Sequence, residues 1–104
     1  MGHNQDKCYE SNKKAKLYLK EKGYIDIELF PHTKYKKDVH IGELAFDGVC
    51  RNISHILFFQ IKSNQRPTKI QIEEMNKLST IYNGFVKFGW VNCPDRNPIE
   101  IFGL

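Results

Sequence analysis

At 104 residues, 40% hydrophobic and 27% charged, the chain has the size and composition of one soluble globular domain spanning 1–104, long enough to fold without disulfide or metal crosslinks. Its strongest apolar run, Ile56-Leu57-Phe58-Phe59, ends at Gln60, far short of the about 20 residues of a membrane span; Met1 to Lys7 carry no apolar signal-peptide stretch, so a cytoplasmic protein with no membrane partner is expected. Sixteen Lys plus Arg against twelve Asp plus Glu give +4, which permits nucleic acid as a partner without establishing it.

Gln5 to Lys22 lacks Gly and Pro, is rich in helix formers and stops at Gly23, a favourable residue just past a helix end. It is read as a first helix, with Cys8, Ala15, Tyr18 and Leu19 near one side. Tyr24 to Phe30 alternates apolar Ile25, Ile27 and Leu29 with Asp26 and Glu28, the period-2 mark of a half-buried strand, and Pro31 ends it. Pro31 to Asp38 is a basic loop carrying Lys34, Lys36 and Lys37, which can track phosphates or simply be solvated. A second strand is expected from about His40 to Cys50. Arg51 to Ser54 turns it into a third, His55 to Lys62, making a hairpin.

Pro67 suits a first helical position, while Thr68 and Gln71 resemble a capping box, so a second helix starts there within a residue or two. Its stripe of Ile72, Met75, Leu78 and Tyr82 reads as core packing, and Gly84 closes it. Strands Phe85 to Asn92 and Ile99 to Phe102 complete an α-β-β-β-α-β-β order, an α/β class. Phe85, Phe88 and Trp90 read mainly as strand core. The odd set Cys8, Cys50 and Cys93 fits neither a disulfide framework nor a zinc site, and the four histidines show no paired ligand spacing.

The third strand carries the chemistry. Residues two apart share a strand face, so Gln60 and Lys62 project together while Leu57, Phe59 and Ile61 point the other way. Two polar side chains at the end of a hydrophobic strand either mark its emergence near Ser63-Asn64 or need partners. Asp47 lies thirteen residues before Gln60, and hairpin pairing can bring the two together. A carboxylate, an amide oxygen and an ammonium would then converge. Asp47 and the Gln60 carbonyl are hard oxygen donors suited to Mg²⁺ or Mn²⁺, and Lys62 could orient water and stabilise phosphate charge. Such a group suits metal-assisted phosphodiester hydrolysis.

Phe46-Asp47-Gly48-Val49, then Ile56 to Ser63 with its Gln-x-Lys, then a helix, together resemble the PD-(D/E)XK nuclease superfamily, which includes restriction endonucleases and archaeal Holliday junction resolvases. The resemblance implies a restriction-endonuclease-like core, a mixed central sheet flanked by helices, in a metal-dependent DNA endonuclease. It makes Asp47 the metal-binding acid, places Gln60 where Asp or Glu is usual, as in Mrr-type enzymes, and matches Lys62 to the motif lysine. The Ile61 main-chain carbonyl becomes a further ligand. A neutral Gln60 removes one charge from the site, to be restored by Glu10 of the first helix, with Asn12 and Glu43 as alternatives; Asp38 is the alternative to Asp47. Lys34, Lys36, Lys37, Ser63 and Asn64 are candidate nucleic-acid contacts. The resolvase likeness implies a structure-selective homodimer. The alternative is a nucleic-acid-binding or assembly subunit that keeps the fold without catalysis.

Overall fold

The computed structural model describes residues 2–30, 39–41 and 44–104, with side chains described for 10–30 and 44–104. The order is α1 (Gly2–Glu21), β1 (Ile25–Leu29), β2 (Val39–Ile41), β3 (Leu44–Phe46), β4 (Gly48–Arg51), β5 (Ile56–Ser63), α2 (Lys69–Ile81), β6 (Val86–Cys93) and β7 (Glu100–Phe102). Five strands form one sheet in the order β1-β4-β5-β6-β7, and β2 and β3 pair separately. Among the described residues only the β5–β6 pair is parallel; β1–β4, β4–β5 and β6–β7 are antiparallel. The described residues therefore form an α/β fold with a mixed five-stranded sheet and two helices. No helix among the described residues is long and apolar enough to cross a membrane.

Alternation along β5 and β6 builds two cores. Leu57, Phe59, Val91 and Cys93, with Cys50 of β4, pack against Ala15 and Leu19 of α1. Phe58, Phe88 and Trp90, with Phe46 of β3, pack against Met75 of α2. One helix thus covers each face. Burying each large side chain of this kind contributes about 1.5–3 kcal/mol before entropy is counted, so the central pair β5–β6 is the rigid base on which neighbouring groups are placed.

The α2 start follows the expected local chemistry. Thr68 caps it, its hydroxyl accepting from the Gln71 N–H at 3.2 Å while its own N–H donates to the Gln71 side chain at 2.9 Å. Pro67 precedes this cap instead of opening the helix. The hairpin turn between β4 and β5 is held by the Asn52 side-chain oxygen, which accepts from the Ser54 and His55 N–H groups at 2.8 and 2.9 Å.

Two expectations are corrected. The second strand is not continuous from 40 to 50: it divides into β2, β3 and β4, with Asp47 at the break between the last two. Gly48 shows why the chain is so tightly placed there, since a Cβ would stand 2.5 Å from the Glu28 carbonyl oxygen and 2.7 Å from the Phe59 ring. The first strand is also less buried than its alternation suggests. Asp26 has a φ of 51° and the β1–β4 register shifts between Ile25 and Glu28, a bulge that leaves Ile25 54% exposed.

Candidate active site at the end of the central strand

Where β3 ends and β4 begins, Asp47 is pinned by its backbone. Its N–H donates to the Phe59 carbonyl and its carbonyl accepts from the Phe30 N–H, both at 2.8 Å. Gly48 pairs with Phe59, but β3 beyond the break runs off to pair with β2. The β5 residues that follow Phe59 thus face an edge that no regular β4 ladder continues. Asp47 answers this locally: its Oδ2 accepts the Ile61 N–H at 2.6 Å, a charge-assisted bond in place of a ladder bond. A strand residue points its N–H and C=O to the same neighbour, so the Ile61 carbonyl is directed to the edge that the Asp47 carboxylate occupies.

Gln60 and Lys62 share the opposite alternation of β5, as period 2 requires. Gln60 is buried at 6% exposure and pairs in register with Trp90; Lys62 pairs with Asn92. The half-buried Lys62 lays its ammonium 5.9 Å from the Trp90 ring centroid, within reach of a cation–π attraction that favours this orientation. Asp47, Gln60, Ile61 and Lys62 therefore gather at one end of β5.

Among the described residues, Ser63 and Asn64 are bonded elsewhere and Glu10 faces solvent. Glu10 is exposed, beside the buried Ser11, Ala15 and Leu19 of α1; at about 100° per residue it leaves the helix from the solvent side. Asn12, half-buried, lies nearer the sheet. Ser63 hydrogen-bonds Ser11 through their hydroxyls, on the α1 face, and so anchors the helix instead of joining Lys62. Asn64 is exposed, with its Oδ1 accepting from the Asp95 N–H at 2.9 Å. Lys34, Lys36, Lys37, Asp38 and Glu43 lie outside the described residues.

Sequence reasoning missed a polar network beside Lys62. Asn92 is buried at 4% exposure; its Oδ1 accepts from the Gln65 N–H at 2.9 Å and its Nδ2 donates to Glu100 at 3.2 Å. Arg66 grips the same carboxylate with Nε and Nη2, both at 3.0 Å. The Trp90 indole N–H donates to the Gln65 carbonyl at 2.9 Å. The available signal was Asn92 itself, a polar interruption of an apolar strand. This network fixes the loop after β5 and the ring that supports Lys62.

Among the described residues the two cysteines offer no thiol chemistry. Burial pushes the Cys50 thiol up to about 12 and raises Cys93 too, against a smaller opposing effect of Lys14, so neither ionises near neutrality. Among the described residues no three or more His, Cys, Asp or Glu converge on a metal position. The donors at the end of β5 are instead the Asp47 carboxylate, the Gln60 amide oxygen and the Ile61 carbonyl. These are hard oxygens, which fit Mg²⁺ or Mn²⁺ in kind. No protein family, curated protein or solved structure matches this chain.

Proposed function

We propose that this chain is a metal-dependent DNA endonuclease of the restriction-endonuclease-like fold, structure-selective in the manner of Holliday junction resolvases and acting as a homodimer. The observation that carries the reading is the Asp47 carboxylate on the Ile61 N–H at 2.6 Å, at the strand end that also bears Gln60 and Lys62. The sheet supports it: β1, β4 and β5 run antiparallel, α2 crosses over, and β6 returns parallel to β5, in keeping with the mixed sheet flanked by helices that the resemblance implies.

Asp47, Gln60 and the Ile61 carbonyl would hold Mg²⁺ or Mn²⁺. The cation, when bound, supplies Lewis-acid stabilisation of the charge that builds on the phosphoryl oxygens. Asp47 is held in place for this by the Ile61 N–H. Gln60 contributes a neutral oxygen and leaves the site with one fewer negative charge than a carboxylate would. Lys62, steadied against Trp90, donates to a phosphate oxygen or to the attacking water and offsets developing negative charge.

One observation favours a second reading, a nucleic-acid-binding or assembly subunit without catalysis: among the described residues only Asp47 brings a carboxylate to this group. The test compares wild type with Asp47→Ala and Lys62→Ala on labelled linear, single-stranded, flapped and four-way-junction DNA with Mg²⁺ or Mn²⁺, and on matched RNA. The nuclease reading requires metal-dependent cutting that both variants lose while still binding. If all three proteins cut alike, or none cuts, the non-catalytic reading replaces it. Solution mass at the assay concentration tests the dimer.

A further inference from the structure

We infer that the cleft between the loops following β5 and β6 binds an unpaired nucleobase next to the phosphate handled by Lys62. The inference rests on the nuclease reading and names part of its substrate. The cleft has a volume of about 390 Å³ and is lined by Asn64, Arg66, Asn92, Pro94, Asn97 and Glu100, a size within the roughly 300–1,000 Å³ of small-ligand sites. It opens at the carboxyl ends of the two parallel strands, where open α/β sheets place their ligand crevices. Asn92 in its wall is the direct register partner of Lys62.

The chemistry of the lining selects the ligand. Arg66 and Glu100 neutralise one another through two 3.0 Å bonds, and Asn92 spends both ends of its carboxamide on Gln65 and Glu100. The cleft lining therefore carries no net charge with which to draw in a phosphate. What it presents is neutral and planar: the Asn97 carboxamide, the Asn64 amide nitrogen left over once its Oδ1 holds the Asp95 N–H, and an outer edge of the Arg66 guanidinium. Carboxamides pair with the donor–acceptor edges of bases, and guanidinium planes stack on them. A base inside a duplex has its edge and faces occupied, so an unpaired one is the fitting occupant, as flaps, single strands and junction centres offer.

The experiment titrates cation-free wild type with a short single-stranded DNA and with an abasic strand of equal length, following the side-chain amide signals of Asn64 and Asn97 by NMR. Both signals should move with the natural strand and stay fixed with the abasic one. Asn97→Ala should weaken natural-strand binding about 3- to 10-fold, the loss of one hydrogen bond, while leaving abasic-strand affinity unchanged. Equal responses to the two strands overturn the base site and leave the nuclease reading intact. Failure to bind either strand also overturns the base site, and the cleavage assay on the same preparation decides the nuclease reading separately.

Discussion

Asp47 has two separable jobs, and a pair of substitutions divides them. Asp47→Ala removes the acceptor from the half-buried Ile61 N–H, now bonded at 2.6 Å, and an orphaned buried donor costs about 1–3 kcal/mol. Asp47→Asn keeps a carbonyl oxygen and loses only the charge assistance, so its cost should be about half. For a domain near 100 residues each kcal/mol moves Tm by roughly 4–8 °C. Taking about 2 kcal/mol for the alanine variant, the expected loss is roughly 8–16 °C for Ala and 4–8 °C for Asn. The assay is thermal and urea unfolding without divalent cations, with hydrogen exchange at the Ile61 amide as the local readout. Exchange at Ile61 should accelerate strongly in Asp47→Ala and weakly in Asp47→Asn, whereas both should lose cleavage. Equal destabilisation by the two, or unchanged Ile61 exchange in the alanine variant, would refute the strand-edge argument; an asparagine variant that cuts as fast as wild type at every Mg²⁺ concentration would refute the metal-ligand role.

Gln60→Glu places a second carboxylate at a buried position beside Asp47, so without cations it should be less stable than wild type. Mg²⁺ should then raise its Tm more than it raises that of wild type, since a ligand at 100 times its Kd contributes about 2.7 kcal/mol; an identical Mg²⁺ response in the two proteins would count against a cation site there. Gly48→Ala should cost about 1–3 kcal/mol by urea midpoint, because its Cβ meets the Glu28 backbone oxygen at 2.5 Å; a neutral effect would mean that β1 can move aside. At the far end of β5, the His55 Nε2 lies 2.7 Å from the Tyr24 hydroxyl, and burial, with Lys87 adding to it, holds His55 below its ordinary 6.5. The fold therefore favours neutral imidazole: its contribution is complete above pH 6.5 and is lost as pH falls through the lowered value. NMR titration of His55 and urea midpoints of wild type and His55→Gln between pH 7.5 and about 5 should show a steeper acid loss in wild type; parallel curves would remove His55 from the acid response.

What could be read from sequence was local or periodic. The Thr68–Gln71 capping box needs only residues three apart, and the shared face of Gln60 and Lys62 follows from strand period alone. Met75, Phe88 and Trp90 were legible as core, and each is 1% exposed or less, but Phe85 and Tyr82, read the same way, are 70% and 45% exposed because both lie in the turn between α2 and β6, beyond the packed stretch of either element. The division of the second strand was not legible, because its cause is tertiary: Gly48 is required by the Phe59 ring and the Glu28 backbone, neither of which a window around residue 48 contains. Ile25 fails its alternation for a similar reason, the bulge at Asp26. Glu10 and Ser11 differ by one step along the chain, and only packing against Ser63 and Cys93 decides which of them faces inward. The Asn92–Glu100–Arg66 network spans three separate segments and leaves no contiguous pattern.

The break that the sequence concealed is also what makes the site chemically usable. A continuous antiparallel neighbour would have satisfied both the N–H and the C=O of Ile61 by backbone, as a regular ladder does, leaving no edge for a ligand. With β3 diverted to β2, the Asp47 side chain takes the N–H, and a carboxylate and a main-chain carbonyl come to share one position on a strand whose other face holds Lys62 against Trp90. The Asp47 carboxylate and the Ile61 carbonyl at the strand edge and the Lys62 ammonium held on the strand face can approach different sides of one phosphate without neutralising each other through direct contact. The weak point is charge, since a single carboxylate with a neutral Gln60 binds a divalent cation less firmly than two acids do. DNA can relieve this by bringing its own anionic oxygen to the cation. The nuclease reading therefore expects cation affinity measured with DNA bound to exceed that of the protein alone, and equal affinities would argue that the end of β5 is a structural feature only.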